Sequence, residues 1–461
     1  MTSIKTAEVV ICGAGIAGIS AAYHLAVVHG VKGIVILDPL PPLTMTSDKS
    51  TEGYRNWWPG PGDDMVRLMN RSIDIMEGLH REAPNRLRMH RRGYLYATGL
   101  PEGVDAITST AKQITGLGAG GLRVHRGGSD DPHYVPSQEH DIFDAPTGAD
   151  LILDPALIHR HFPFLTVDVL GLLHTRRCGW FAAQQFGMYM LEQALAHGVR
   201  VVKGKVEGVE SQGGRIEAVK FAVEGGTETI STHKFIVAAG PFQREVGRWL
   251  GAELPVMVEP HLKLVFSDHY RIVPRDLGLF IWNDPVRLAW TDEERAALAE
   301  DEGSRWLLDE FRVGVHGRPE GEGDTLLLQW AYGPDRPMME PVFPIPIDQQ
   351  LPEMALRGMA SVIPELSKYF NKMPRPFIDG GYYARTPENR PLIGPLPMEG
   401  SFIIGGFGGF GMQVSFGAGD LLARHVMGRD LPSYASAFLP SRYEDPQYQE
   451  FLRQWGASGQ I

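Results

Sequence analysis

Short unbroken apolar runs alternate along the chain with helical periodicity and glycine-rich turns, most clearly in the first forty residues. Glu8 to Cys12 is one acid followed by Val-Val-Ile-Cys, the pattern of a strand buried on both faces of a parallel sheet. Ile19 to Ala26 reads as a helix, His29-Gly30 as a turn, and Gly33 to Asp38 as a second buried strand. Lys234 to Phe242 carries another apolar strand ending in Ala-Ala-Gly, and Ser401 to Ile404 precedes a glycine-rich turn and a helix near Gly419 to Val426. Glu259 to Phe266 and Thr325 to Trp330 have the alternation of antiparallel strands. Between them Thr291-Asp292-Glu293-Glu294 spells a capping box, with a helix through Glu300 and a restart near Arg305 to Phe311. The acidic 291–320 stretch presents a solvated face, with a lid or an oligomer contact as the sharper alternative.

The glycines give the first run its chemistry. In Gly13-Ala14-Gly15-Ile16-Ala17-Gly18, Gly13 permits a tight turn, Gly15 lets a pyrophosphate approach the backbone, and Gly18 lets helix and strand pack closely. The following helix offers free N–H groups and a positive dipole end. Asp38 ends the second strand about 20 residues after Gly18, where a carboxylate meets ribose hydroxyls. The same glycine spacing recurs at 116–121 and at 406–411. No helix follows the 116–121 match, so Leu122 to Pro136 reads as a flexible loop. The 406–411 match lacks a second strand with an acid and is not a separate dinucleotide site. Small residues at Ala239 and Gly240 let a third strand turn close to the same nucleotide.

Composition sets bounds on this picture. At 461 residues with 43% hydrophobic content, the chain exceeds one core and is expected to form two domains. The net charge of −11, spread along the chain, argues against nucleic-acid binding. Cys12 and Cys178 are the only cysteines, so neither a disulfide framework nor a Cys-rich metal site is expected. The N-terminus is too short in apolar residues for a signal peptide, and no run is long enough to span a membrane, which together suggest a cytoplasmic protein. HExxH, GxSxG and GxxxxGK[ST] motifs are absent, disfavouring a catalytic metal, a hydrolase and a P-loop NTPase.

One N-terminal βαβ unit, a mid-chain strand ending in Ala-Ala-Gly and a C-terminal strand, glycine loop and helix resemble the D-amino-acid-oxidase-like (DAO) FAD-dependent oxidoreductases. Three further passages are similar to that superfamily: Ser50 to Trp58, which would run along the flavin ring; Cys178 to Phe186, with Ala182-Ala183 in place of Asp-Pro; and Gly381 to Pro395, around Thr386-Pro387 and Ile393-Gly394-Pro395. The branch most resembled holds sarcosine-oxidase β-like subunits, dimethylglycine dehydrogenases and a respiratory complex I assembly flavoprotein. The resemblance implies an α/β fold. A Rossmann-like FAD-binding domain would come from 1–90, 150–243 and 386–461. A mixed α/β substrate domain with an antiparallel sheet would come from 91–149 and 244–385. It implies that FAD lies against Gly13, Gly15, Ile16, Ala17, Gly18, Asp38, Ser50, Thr51, Arg55, Val206, Ala239 and Gly240. At the C-terminal loop the implied contacts are Gly408, Gly409, Phe410, Gly411, Met412 and Gln413.

Departures from the family pattern refine the expectation. Neither the neighbourhood of Gly381 nor Thr46 to Arg55 holds the Cys or His that links flavin covalently in relatives, so FAD should be bound non-covalently. Gln413 stands where sarcosine oxidases carry an oxygen-activating lysine, which favours dehydrogenase over oxidase chemistry. Tyr383 replaces a carboxylate-clamping arginine, leaving Arg55, Arg385 and Lys263 as replacements. His261 and Lys263 would share one face of their strand, and Tyr382 and Tyr383 would face opposite sides. Trp57 and Trp58 either pack or line the site.

The implied reaction is oxidation of a C–N bond of an amine or (N-alkyl) amino acid by hydride transfer to flavin N5, giving an imine. Arg55, His261, Lys263, Tyr383 and Gln413 are the catalytic candidates, with O2 or another redox carrier as electron acceptor. A flavin monooxygenase and a flavoprotein assembly factor without turnover are the alternatives.

Overall fold

The computed structural model describes residues 4–137 and 142–454, the last without its side chain, so the ends of the 1–90 and 386–461 segments and part of 91–149 lie outside the described residues. The all-apolar strand Val9–Cys12 lies inside a six-stranded sheet. It pairs in parallel with Ile34–Asp38 on one side and with Phe235–Val237 on the other. Arg200–Lys203 extends the sheet beyond Ile34–Asp38, and Ser401–Gly405 adds a parallel strand beyond Phe235–Val237. Antiparallel Leu392–Pro395 closes that edge. The helix after the first glycine loop spans Ile16–Tyr23 and continues through one wider turn, His24–Val28. The C-terminal helix begins at the last glycine of its loop and runs Gly411–Met427, earlier than the apolar pattern indicated. Gly428, at φ 61° in the left-handed region, caps it.

A second sheet, nine-stranded and mixed, has Phe377–Arg385 at one edge and Leu122–His125 at the other. The strand expected over Glu259 to Phe266 runs Met257–Ser267 and pairs antiparallel with both Phe377–Arg385 and Thr325–Gln329. Leu122–His125 is a strand, not loop: it pairs in parallel with Ala149–Ile152, and the irregular stretch begins only after His125. Ala149–Ile152 and Gly171–Thr175 both belong to this sheet, which therefore reaches into the 150–243 segment allotted to the cofactor domain. The family-like passage at 178 forms the strand Cys178–Phe181 and the helix Ala183–Ala196.

The Thr291 capping box has both its bonds: the Thr291 hydroxyl accepts from Glu294 N–H at 3.1 Å, and the Glu294 carboxylate accepts from Thr291 N–H at 2.9 Å. The helix Asp292–Glu300 buries no residue, and its charges face solvent except Glu294, which pairs with the buried Arg357 at 2.7 Å. The expected restart shrinks to a single turn, Arg305–Leu308, followed by the two-residue strand Glu310–Phe311. Farther on, the buried carboxylate of Glu388 ties the chain's last segment to the 386–390 turn. It accepts from Arg442 at 2.7 Å, from the Tyr443 hydroxyl at 2.6 Å and from the Tyr448 hydroxyl at 2.9 Å.

Candidate active site

The first glycine loop is closed by contacts that no side chain could share. A Cβ on Gly13, whose φ is +114°, would sit 2.3 Å from the carbonyl oxygen of Ala238; one on Gly18 would sit 2.0 Å from that of Gly13. Loop, helix and neighbouring strand thus touch backbone to backbone, which exposes the main chain of Gly15, Ile16 and Ala17 to a cleft of about 860 Å³. The Ser47 hydroxyl approaches this helix start, accepting from Ile16 N–H at 3.0 Å. The Asp38 carboxylate accepts from Ala14 N–H at 2.7 Å and Leu40 N–H at 2.8 Å, pinning the loop to the end of its strand.

Seven chain segments meet around the cleft, and eight of the lining residues are glycines. Of the sequence-predicted residues, it brings together Gly15, Ile16, Ala17, Ser50, Thr51, Gly240, His261, Lys263, Tyr383, Gly408, Gly409, Gly411 and Met412. Gly13, Gly18, Asp38, Val206, Ala239 and Phe410 lie outside the lining. Val206 is packed in a core with Val10, Val35 and Leu37, and Phe410 lies edge-on to Trp58, ring centroids 4.3 Å apart. No residue of 291–320 lines the cleft.

Two catalytic candidates also lie outside the lining. Arg55 is buried beneath Trp58, its guanidinium 4.4 Å from the indole centroid and donating to the Tyr96 hydroxyl at 3.0 Å. Gln413 spends its amide on the backbone of that same residue: Oε1 accepts from Arg55 N–H at 2.9 Å and Nε2 donates to Arg55 C=O at 2.6 Å. The inference against oxygen drawn from a neutral Gln413 loses its ground, because this amide does not face the cleft. Trp57 and Trp58 are likewise buried packing residues.

The reactive wall comes from the nine-stranded sheet. His261 and Lys263 share a face as the strand period requires, and both line the cleft. His261 stacks on Tyr383 with ring centroids 3.7 Å apart and planes 15° from parallel. Its Nε2 lies 3.6 Å from Glu259, which also pairs with Arg385 at 2.9 Å. His261, with Arg385 behind it, holds the Glu259 carboxyl down at about 2 despite burial. Arg385 is thereby committed to Glu259. The Lys263 ammonium donates to the Ser50 carbonyl, and burial lowers its pKa against the pull of Glu52 and Asp379. Burial raises the Tyr383 phenol, which Gln329 partners; Gln329 in turn lies 3.3 Å from His316 Nε2. Tyr382 turns the other way, its hydroxyl donating to Val342 C=O at 2.6 Å.

Lining residues absent from the sequence reading include Thr46, Ser47, Lys49, Gln243, Gln329 and Phe407. Lys49 bridges to Asp379 at 3.2 Å, tying the 46–51 segment to the sheet. Adjacency to Ser50 and to Ala239-Gly240 was the only available signal for Lys49 and Gln243. Among the described residues no group of three or more His, Cys, Asp or Glu is placed to hold a metal ion, and no helix is long and apolar enough to cross a membrane.

A cleft floored by glycine backbone, with a helix start and polar side chains in its lining, fits FAD. The family described as FAD dependent oxidoreductase (DAO) matches residues 8–425. Mitochondrial dimethylglycine dehydrogenase of Rattus norvegicus is 25% identical over 449 residues, covering 95% of this chain and 45% of that protein. The Homo sapiens protein of the same name is 24% identical and 44% covered, so the chain spans less than half the length of these curated relatives. L-proline dehydrogenase from P. horikoshii superposes with a TM-score of 0.71 at 17% identity, covering 96% of this chain and 99% of that one. Glycine oxidase from Geobacillus kaustophilus gives 0.71 at 16% identity, with 95% and 99% covered. At such identities the structural matches speak for the fold.

Proposed function

The chain belongs to the FAD-dependent oxidoreductase (DAO) family, and from that premise we propose that it oxidises a carbon–nitrogen bond of an amine or N-alkyl amino acid. The observation that carries this reading is the convergence of His261, Lys263 and Tyr383 on the glycine-floored cleft shared with Gly15, Ile16 and Ala17. When bound, FAD supplies the hydride acceptor for the carbon next to nitrogen, and the substrate leaves as an imine that water hydrolyses.

The residues of the reactive wall bind, orient and move protons. The substrate nitrogen must be neutral to release its electron pair into the C=N bond. His261 takes the ammonium proton at Nδ1, the nitrogen left when Nε2 faces ionised Glu259. Among the described residues no arginine lines the cleft, so Lys263 meets a substrate carboxylate as a single charge in place of a two-pronged guanidinium. The Tyr383 ring, held by its stack on His261, forms the apolar side of the pocket. Neither cysteine lines the cleft, which supports FAD held without a covalent bond to cysteine. Either O2 or a second redox carrier takes the electrons onward.

The test is an anaerobic visible spectrum of the flavin-loaded protein before and after N-methyl amino acids, amino acids and secondary amines. Bleaching of the band at roughly 450 nm identifies the donor, and readmitted air or an added dye identifies the acceptor. A panel in which no compound bleaches the flavin refutes the proposal. Acid precipitation should leave the flavin in the supernatant.

A further inference from the structure

Among the described residues, Gln243 is the one cleft-lining side chain with buried polar atoms that meet no partner. Both ends of its amide, Nε2 and Oε1, are unmatched, and the residue is 1% exposed. It follows the strand Phe235–Val237 and reaches toward the end of the neighbouring parallel strand. There Gly405 leaves room: a Cβ on Gly405 would lie 2.2 Å from the Gln243 Oε1. The amide therefore sits in the crevice beyond the carboxyl ends of two adjacent parallel strands, the place where open α/β sheets receive ligands. A buried amide with neither donor nor acceptor used is destabilising, so a group that uses both is expected to complete it.

We propose that Gln243 is a cofactor-anchoring residue whose amide grips a hydroxyl of the sugar-alcohol chain of FAD. A hydroxyl both donates and accepts, matching Oε1 and Nε2 together, whereas a phosphate oxygen only accepts and would leave Oε1 unmet. The lining around Gln243 supports this: Ala238, Gly240, Ile404 and Gly405 bring no competing side-chain polar group.

The inference rests on FAD as the cofactor and not on amine oxidation, so the experiment reads flavin retention without substrate. FAD release from the loaded full chain is followed by the fluorescence gained on dilution, in wild type and in Gln243→Leu. The variant should bind FAD about tenfold more weakly, the order expected for losing a buried hydrogen-bonded contact. The absorption maximum of its bound flavin should stay in place, because the contact is off the ring. Its FAD-free form should melt at or above the wild-type FAD-free temperature, since an unmatched amide has been removed. An affinity within twofold of wild type overturns the proposal, as does an FAD-free variant melting well below wild type, which would show an amide partnered by protein. A shifted absorption maximum would place the contact on the flavin ring edge and also overturn it. Gln243→Met, of similar size but with neither donor nor acceptor, is the second variant and should lose affinity while its FAD-free form melts at or above wild type. A wild-type chain that holds no FAD removes the premise and the proposal together; one that holds FAD but oxidises no amine leaves this result standing.

Discussion

Gln413 separates a structural role from a catalytic one, and replacing it with leucine tests which it has. The amide makes two bonds to the backbone of Arg55, at 2.9 and 2.6 Å, and is 1% exposed. Arg55 C=O keeps a second donor, the Trp58 indole at 3.3 Å, so its loss is partial. Arg55 N–H loses the amide that holds it. Two net hydrogen bonds at about 0.5–1 kcal/mol each, plus about 1–2 kcal/mol for a buried N–H left unmet, give a destabilisation of roughly 2–4 kcal/mol. At about 2.1 cal/mol/K per residue over 461 residues, the unfolding entropy is near 1 kcal/mol/K, so melting should fall by roughly 2–4 °C. Gln413→Met, of similar length with neither donor nor acceptor, should fall by the same amount. The assay is a thermal scan of the flavin-loaded chain, paired with the rate of anaerobic flavin reduction. A melting point unchanged to within half a degree, with reduction abolished, would refute the structural assignment and return Gln413 to the reacting atoms.

Three further expectations follow from the same geometry. Glu259 is held at about 2, below the 4.5 of a free glutamate. The unfolded chain therefore takes up that proton first, and the stabilisation, complete above about pH 4.5, drains away as pH falls towards 2. Wild type should lose more melting temperature between pH 6 and pH 3 than Glu259→Gln, and equal losses would count against the pairing with His261 and Arg385. Gly18→Ala places a methyl 2.0 Å from the Gly13 carbonyl oxygen, against backbone that cannot step aside. It should yield protein that purifies without flavin, and a flavin-to-protein ratio equal to wild type would contradict the contact. Glu388→Gln strips the charge from a carboxylate shared by Arg442, Tyr443 and Tyr448 and leaves a buried guanidinium unbalanced, at a cost of about 3–5 kcal/mol. Proteolysis should then cut within Pro446–Gln454 faster than in wild type, and an unchanged digest would deny that anchor.

The cofactor end was legible because its signals are local. Val9 to Asp38 carries strand, glycines, helix and acid in one uninterrupted stretch, and each constrains the backbone of its immediate neighbours. The Thr291 capping box was legible for the same reason, since both partners lie within one turn. Arg55 and Gln413 misled because a segment beside the flavin site points successive side chains in opposite directions, and only packing against Trp58 and Tyr96 settles which enters the cleft. Arg385 looked free for a carboxylate until sheet register placed Glu259 opposite Tyr383, within reach of the arginine two residues on. Lys49 and Asp379 meet across more than 300 residues of chain, a pairing no local pattern encodes. The strand Leu122–His125 was hidden by glycines on both sides of it, and its partner Ala149–Ile152 supplied what propensity did not.

The order of strands in the six-stranded sheet also fixes a timetable for synthesis. Val9–Cys12 leaves the ribosome well before its partners on that side, since Val10 aligns with Phe235, and Phe235 in turn waits for Ser401. At roughly 5–20 residues per second, the nascent chain carries one unpaired edge of its most apolar strand for about 10–45 s. During that interval the glycine loop lacks the Ala238 backbone that packs against it, and the cleft lacks its 404–412 floor. Flavin capture thus falls after translation of the C-terminal loop, and until then the newborn chain depends on protection of that edge, by chaperone or by temporary pairing, to escape aggregation.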